Sequence, residues 1–258
     1  MKLTVIIPVY NEATTLQTLL DRVLAAPSDK EVLIVDDGSD LETKNLLATI
    51  AEDEAYQAVR LFTHAQNQGK GAGICTALQQ ATGDVVIIQD ADLEYYPEDY
   101  QDLLDVYQKQ QVDVVYGVRD LSQRSLLMKL GNYGMTWATN ILFGSRLHDM
   151  ETCYKLIDRE LMQSLDLGSR GFEVEAEITA KLLQKGIRIA ETPIRYDHRE
   201  EGKKLTPLDG IPTLGTLIKF RLQRPDNTLD YLFLAVMAGL LIVIGLIVGL
   251  LLANVGRR

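Results

Sequence analysis

Soft metal ligands are nearly missing from this chain of 258 residues, which has two cysteines and three histidines. Cys75 and Cys153 lie far apart in no ligand spacing, and His64, His148 and His198 form no HxxxH pair or similar cluster, so no zinc site is expected. Two such cysteines make no disulfide framework and point to free thiols in a reducing compartment. Positive charge is short as well. With 26 Lys and Arg against 36 Asp and Glu, the formal net charge is −10, which argues against nucleic acid as a partner. An anionic ligand stays possible, because a metal ion and a few placed Arg or Lys residues can hold it locally. The N-terminal apolar run is short and ends at Pro8, so no signal peptide is expected. There is no internal repeat and no low-complexity tract.

What the chain does have is an alternation of strand and helix patterns, the mark of an α/β domain with a mostly parallel sheet. Strands are expected at Leu3–Val9, Glu31–Val35, around Val59–Phe62, and at Val85–Ile88, Val112–Val118 and Ile187–Ile194, with a short one after Lys155. Leu16, Leu19, Leu20, Val23 and Leu24 share one helical face, and Asn11 is the expected N-cap of that helix. Further helices are expected through about Leu41–Glu54, from the glycine-rich segment at Asn67–Gly73 to near Ala81, after Pro97 to about Gln110, and over Leu126–Phe143. A later helix carries Ala176, Thr179, Ala180 and Leu183 on one face and is closed by Gly186. The segment Gly69-Lys70-Gly71 lacks both the Walker spacing and GxGxxG, so close packing at a helix start is its first reading, with Lys70 near a ligand phosphate as the second.

The C-terminus changes character. No residue from Tyr231 to Gly256 is charged, and a stretch of that length spans a bilayer as a helix. The expected division is a catalytic domain over 1–210, an amphipathic juxtamembrane segment over 211–228, and a single transmembrane helix over 229–256. The amphipathic segment suits either a helix in the headgroup plane or an ordinary packed helix. Basic residues flank both ends of the apolar run, so charge alone does not orient it.

Three strand ends carry polar clusters: Pro8-Val9-Tyr10-Asn11-Glu12, Val35-Asp36-Asp37-Gly38-Ser39 and Gln89-Asp90-Ala91-Asp92. In a parallel sheet such ends line one edge, where open α/β sheets bind ligands. Asp-x-Asp alone is most often a solvated turn; with two neighbouring clusters it becomes a candidate site for a hard cation shared with phosphate oxygens.

As an ordered set these motifs resemble the family 2 inverting glycosyltransferases of GT-A fold, and more narrowly the polyprenyl-phosphate sugar transferases of the dolichol-phosphate mannose and glucose synthase group. Supporting stretches are Gly69-Lys70-Gly71, Gly117-Val118-Arg119, Asp149–Lys155, Gly171-Phe172-Glu173 and Glu201-Gly202-Lys203-Lys204, so the resemblance covers roughly Leu3 to Arg221. It implies a Rossmann-like GT-A catalytic domain and transfer of a hexose from a UDP- or GDP-linked donor to a dolichyl or undecaprenyl phosphate. The implied donor site comprises Pro8, Tyr10, Asn11, Glu12, Val35, Asp36, Asp37, Lys70, Asp90, Ala91, Asp92, Arg119, Arg199 and Lys204. Asp90 and Asp92, with Glu94 where the mannosyl enzymes often carry Gln, would hold Mg²⁺ or Mn²⁺. Asp92, Arg119, Asp149 and Glu151 are the implied catalytic residues.

A phosphate acceptor is already anionic and needs cationic residues, for which Arg119, Arg124 and Lys204 are candidates. A hydroxyl acceptor, on a lipid or a glycan, would instead need a carboxylate base, with Asp149 or Glu151 as the choice. A membrane-tethered nucleotide-sugar binder without activity is the third reading. Cytosolic donors put the catalytic domain on the cytoplasmic side, and Gly239, Gly245 and Gly249 would permit self-association within the membrane.

Overall fold

The computed structural model describes residues 1–122, 124, 126–197 and 210–223. Seven strands form one sheet: β1 (Leu3–Val9), β2 (Lys30–Asp36), β3 (Val59–Thr63), β4 (Val85–Ile88), β5 (Val114–Arg119), β6 (Lys155–Asp158) and β7 (Ile189–Ile194). Their order is β3-β2-β1-β4-β6-β5-β7. All pairs are parallel except those of β6, which runs antiparallel to both β4 and β5. The sheet is mostly parallel, as expected, and the reversal of β6 is what the sequence did not show. A buried strand reads as a short apolar run in either direction.

Eight α-helices accompany the sheet among the described residues: α1 (Leu16–Ala25), α2 (Leu41–Glu52), α3 (Lys70–Leu78), α4 (Tyr100–Gln110), α5 (Leu126–Phe143), α6 (Arg159–Gln163), α7 (Val174–Gln184) and α8 (Gly210–Gln223). The short α6 is unforeseen, being little more than one turn. The apolar face of α1 buries Leu16, Leu19, Leu20 and Val23. Asp40 caps α2 by accepting from the Thr43 backbone N–H at 2.9 Å, a contact worth about 1 kcal/mol. The center of the core is β1, β2 and β4, whose apolar residues are almost wholly buried.

Asn11 does not cap α1. The helix begins at Leu16 with Thr15 as its N-cap. Asn11 sits at φ +53°, and its Oδ1 accepts from the Asp40 N–H at 2.7 Å while its own N–H donates to Ser39 Oγ at 3.1 Å. An asparagine tolerates this left-handed backbone and here ties the loop after β1 to the loop after β2. The segment before the C-terminal run does form a helix. In α8, Thr213, Leu217 and Phe220 are buried, and the helix packs against α7 and α5. One side of the described part is thus packed on the domain, with Ile211 and Leu222 left exposed. The expected transmembrane helix over 229–256, and Arg199 and Lys204, lie outside the described residues. Among the described residues, no helix is long and apolar enough to cross a membrane.

Candidate active site

The ends of β1, β2 and β4 meet at one edge because β1 lies between its two parallel partners. The Asp37 N–H donates to Val9 O at 2.8 Å, and the Gln89 N–H donates to Ile6 O at 2.9 Å, so all three polar loops are fastened to the central strand.

The turn after β4 is braced from below. Gln89 is fully buried; its Oε1 accepts from the Tyr100 and Tyr154 hydroxyls, each at 2.6 Å, and its Nε2 donates to Asp90 O at 2.8 Å. Ala91, between the two aspartates in sequence, is buried, and Leu93 adopts φ +64° to turn the chain. Asp92 Oδ1 accepts from the Glu94 N–H at 3.1 Å. Burial, then the charges of Asp90 and Glu94, push the Asp92 carboxyl up to about 7. Adding a cation relieves that crowding, and carboxylate oxygens suit a hard divalent ion. The donor set therefore fits Mg²⁺ or Mn²⁺ in kind. Among the described residues, however, no three His, Cys, Asp or Glu side chains gather as a metal-binding group. Glu94, expected as a third ligand, accepts the Tyr196 hydroxyl and faces Arg124 Nη2 at 3.8 Å.

Asp90 has a resident counter-charge. Lys70 at the start of α3 places Nζ 2.7 Å from Asp90 Oδ1 and 3.1 Å from Glu175 Oε1. Glu175 is in turn held by the fully buried Lys155 at 2.6 Å. Burial alone would lower the Lys70 pKa, but Asp90, Cys153 and Glu175 hold it well above the ordinary lysine value. The close-packing reading of the glycine-rich segment is what the structure shows. A Cβ on Gly69, at φ +99°, would lie 2.3 Å from Arg170 O, and one on Gly71 would lie 2.2 Å from Ser169 O. The same close approach carries Lys70 to the acidic turn. Neither Glu175 nor Lys155 was a candidate site residue from sequence, although Lys155 ends the stretch Asp149–Lys155 and Glu175 follows closely on Gly171-Phe172-Glu173.

The residues expected on the donor side divide into two kinds. Tyr10 is partly exposed at the edge, whereas Glu12 is buried and accepts from Thr15 Oγ1 at 2.9 Å. Val35 is wholly buried, and with Pro8 it meets Gly73 of α3, where a Cβ would come 3.3 Å from Pro8 Cβ. Asp36 Oδ1 accepts from the Ser39 N–H at 2.9 Å. The Asp37 carboxylate is wholly engaged: it pairs with His64 Nδ1 at 2.7 Å and accepts from the N–H groups of Gln68 at 2.9 Å and Gly69 at 2.7 Å. It anchors the loop that delivers Lys70.

On the other side of the acidic turn, Arg119 ends β5. Its Nε lies 2.7 Å from Asp149 Oδ2 and its Nη2 2.8 Å from Asp149 Oδ1, and Nη2 also donates to Asn132 Oδ1 at 2.8 Å. Burial would raise the Asp149 carboxyl, but Arg119 and Asn132 hold it below the usual range. Glu151 is shifted the other way, upward, chiefly by burial. The ring of Tyr196 lies 5.3 Å from the Arg119 guanidinium and 5.0 Å from that of Arg124, whose Nη2 donates to the Tyr196 hydroxyl. Tyr196 thus joins Glu94, Arg119 and Arg124, and nothing in its sequence surroundings marked it.

An α/β sheet in this order, with an acidic turn after β4 and a clamped arginine at the end of β5, is the GT-A fold of glycosyltransferases. The chain belongs to glycosyl transferase family 2, whose family model matches residues 4–163. It is 34% identical over 165 residues to the undecaprenyl-phosphate 4-deoxy-4-formamido-L-arabinose transferase of Pectobacterium atrosepticum, covering 62% of this chain and 50% of that protein. It is 27% identical over 228 residues to the dolichyl-phosphate beta-glucosyltransferase of Dictyostelium discoideum, covering 80% of this chain and 69% of that protein. The aligned part therefore spans about half the length of the arabinose transferase. Glucosyl-3-phosphoglycerate synthase from Mycobacterium tuberculosis, crystallised with Mn²⁺, UDP-glucose and phosphoglyceric acid, shares the fold. Its TM-score is 0.67 at 20% identity, with 88% of this chain and 81% of that one covered.

Proposed function

We propose that this protein is a membrane-associated, inverting, metal-dependent glycosyltransferase. It moves a hexose from a UDP- or GDP-linked donor to a polyprenyl phosphate, working at the cytoplasmic face of the bilayer. The observation that carries the acceptor class is the pairing of Asp149 with Arg119. A carboxylate gripped at both oxygens and held to low pKa is a poor general base, and an anionic phosphate acceptor needs none. The two relatives named above, one an undecaprenyl-phosphate and the other a dolichyl-phosphate transferase by name, support the same reading.

In this reading Asp90 and Asp92 hold the divalent cation, which neutralises charge on the donor diphosphate when bound. Lys70 exchanges its contact with Asp90 for one with a phosphate oxygen, so its charge stabilises the departing nucleotide. Tyr10, Asn11, Glu12 and the backbone around Pro8, Val35, Asp36 and Ala91 line the nucleoside end. Asp37 acts by holding the Lys70 loop. Arg119 and Arg124, set about the Tyr196 ring, receive the acceptor phosphate, joined by Lys204 and with Arg199 on the donor side. Glu94 keeps Tyr196 and Arg124 in place beside the metal pair.

A second reading rests on Glu151. Its upward-shifted carboxyl suits a base for a hydroxyl acceptor. Membranes containing the protein, incubated with a panel of labelled nucleotide sugars and either polyprenyl phosphate or a hydroxyl lipid, decide between them. Label entering the polyprenyl-phosphate fraction is expected. Label entering only the hydroxyl lipid, or donor binding without turnover, would sink the proposal.

A further inference from the structure

Lys70 stands between two carboxylates and is hydrogen-bonded to one of them. Its Nζ bonds to Asp90 Oδ1 at 2.7 Å and lies 3.1 Å from Glu175 Oε1 and 3.7 Å from Cys153 Sγ. The contact with Glu175 has the distance of an ion pair, yet Glu175 Oε1 is buried and accepts no hydrogen bond among the described residues. A buried carboxylate oxygen left without a donor is costly, and in a native fold it calls for a reason. The rest of Glu175 is fixed. It sits in the first turn of α7, and its Oε2 accepts from Lys155 Nζ at 2.6 Å. Lys155 is fully buried; its ammonium also donates to Thr152 O and lies 4.9 Å from the Tyr116 ring centroid. A rigid acceptor thus lacks a donor, and the Lys70 ammonium is within reach of supplying one.

We propose that Lys70 is a resident stand-in for the divalent cation at the acidic turn, and that Glu175, anchored by Lys155, is the post that takes its ammonium when Asp90 is given up to the ion. The proposal rests on the metal-dependent, donor-binding reading given above and adds an order of events to it. One carboxylate cannot serve an ammonium and a divalent ion equally, and two cations at this range repel each other. The Asp90 side chain is 26% exposed, against 10% for Lys70 and for Glu175, so Asp90 is the open member of the cluster and Lys70 an inner one. Without donor, Lys70 occupies Asp90 and the turn has low affinity for the ion. A bound diphosphate offers the ammonium another anion. An ammonium has three N–H groups, so Lys70 can then bond to a phosphate oxygen and to Glu175 Oε1 together, leaving Asp90 free. Ion and nucleotide therefore bind with positive cooperativity, and Lys70 carries it.

Paramagnetic resonance of free Mn²⁺ measures ion affinity in the full-length protein in detergent, without nucleotide and with saturating UDP or GDP, and needs no turnover. Wild type is expected to bind Mn²⁺ about tenfold more tightly with the nucleotide it accepts. Lys70→Met should bind Mn²⁺ about tenfold more tightly than wild type when nucleotide is absent, and most of the nucleotide's enhancement should be lost. A bridge that only braces the turn predicts the opposite sign, so unchanged or weaker Mn²⁺ binding by Lys70→Met overturns the proposal. Tighter binding with the nucleotide enhancement intact overturns it too, because Lys70 would then be only a nearby charge. The post is removed by the double variant Lys155→Met, Glu175→Gln, which leaves no buried charge unpaired. With Lys70 confined to Asp90, its nucleotide-free Mn²⁺ affinity should fall about threefold. Adding Lys70→Met to that variant should restore the affinity of Lys70→Met alone, since the post acts only through Lys70; a loss of the same size in both backgrounds overturns the role of Glu175. Mn²⁺ bound by no preparation, with or without nucleotide, ends the metal-dependent reading together with this one. Mn²⁺ bound alike by wild type and Lys70→Met removes only the stand-in.

Discussion

The Arg119 guanidinium grips both oxygens of Asp149, with Nε 2.7 Å from Oδ2 and Nη2 2.8 Å from Oδ1. Both side chains are nearly buried, so neither charge has water to fall back on. A buried pair of this kind is costly to break from one side.

Asp149→Asn is therefore expected to lower stability by about 3 kcal/mol, because Arg119 keeps its charge and loses its partner. Urea unfolding checks this: the midpoint should fall with the slope unchanged. Glu151→Gln separates the acceptor classes. With a phosphate acceptor its kcat should stay within a few-fold of wild type, whereas a base for a hydroxyl acceptor would lose about a hundredfold or more.

Asp92→Asn should reduce transfer about a thousandfold in saturating Mg²⁺ or Mn²⁺, since the charge opposing the departing diphosphate is misplaced. Chelation of divalent cations should produce a comparable loss, restored by adding the ion back. Calorimetry should then show weaker donor binding in both cases. Near-normal transfer by either preparation would end the metal-dependent mechanism.

Asp37→Asn should weaken both the fold and the donor site. The carboxylate accepts from two backbone N–H groups and pairs with His64, and charged hydrogen bonds of this kind contribute about 1.5–3 kcal/mol each. A loss of about 3 kcal/mol in denaturant unfolding is expected, with donor KM rising more than kcat falls. Gly69→Ala should mimic it, since its φ of +99° and the 2.3 Å approach to Arg170 O leave no room for a methyl group.

Acid stability should depend on Glu31, far from the active site. Burial would raise its pKa, but the hydroxyls of Thr4 and Thr82, the Thr82 N–H and Lys2 bring it from 4.5 to about 2. A carboxyl depressed in the folded state stabilises the fold above its unfolded pKa. That contribution, on the order of 3 kcal/mol, is lost as pH falls from the unfolded to the folded pKa. Glu31→Gln should be less stable at neutral pH and show a flatter acid limb when unfolding is followed by circular dichroism against pH.

Much of the architecture was legible because local chemistry dictates it. The apolar run Val85–Ile88 forms a strand with those bounds, and Leu126–Phe143 forms a helix with those bounds. Polar residues after β1, β2 and β4 could be assigned to one edge because parallel strands point the same way. Helix ends were less legible. Asn11 has the chemistry of a cap, yet its side chain serves a loop distant in sequence. Local propensity cannot weigh such a contact.

The sequence by itself determined the alternation of strands and helices, the three polar strand ends and the charge-free C-terminal run. Short-range periodicity and residue chemistry suffice for those. Only the tertiary structure decided what each charged group does. It turned β6 around and brought Lys155 to Glu175, Glu175 to Lys70 and Lys70 to Asp90. It clamped Asp149 with Arg119, gave Glu94 to Tyr196, and left Leu130, Tyr133, Trp137 and Ile141 of α5 exposed. Charge and burial act through space over a few ångströms, and the partners in these contacts are up to about a hundred residues apart along the chain.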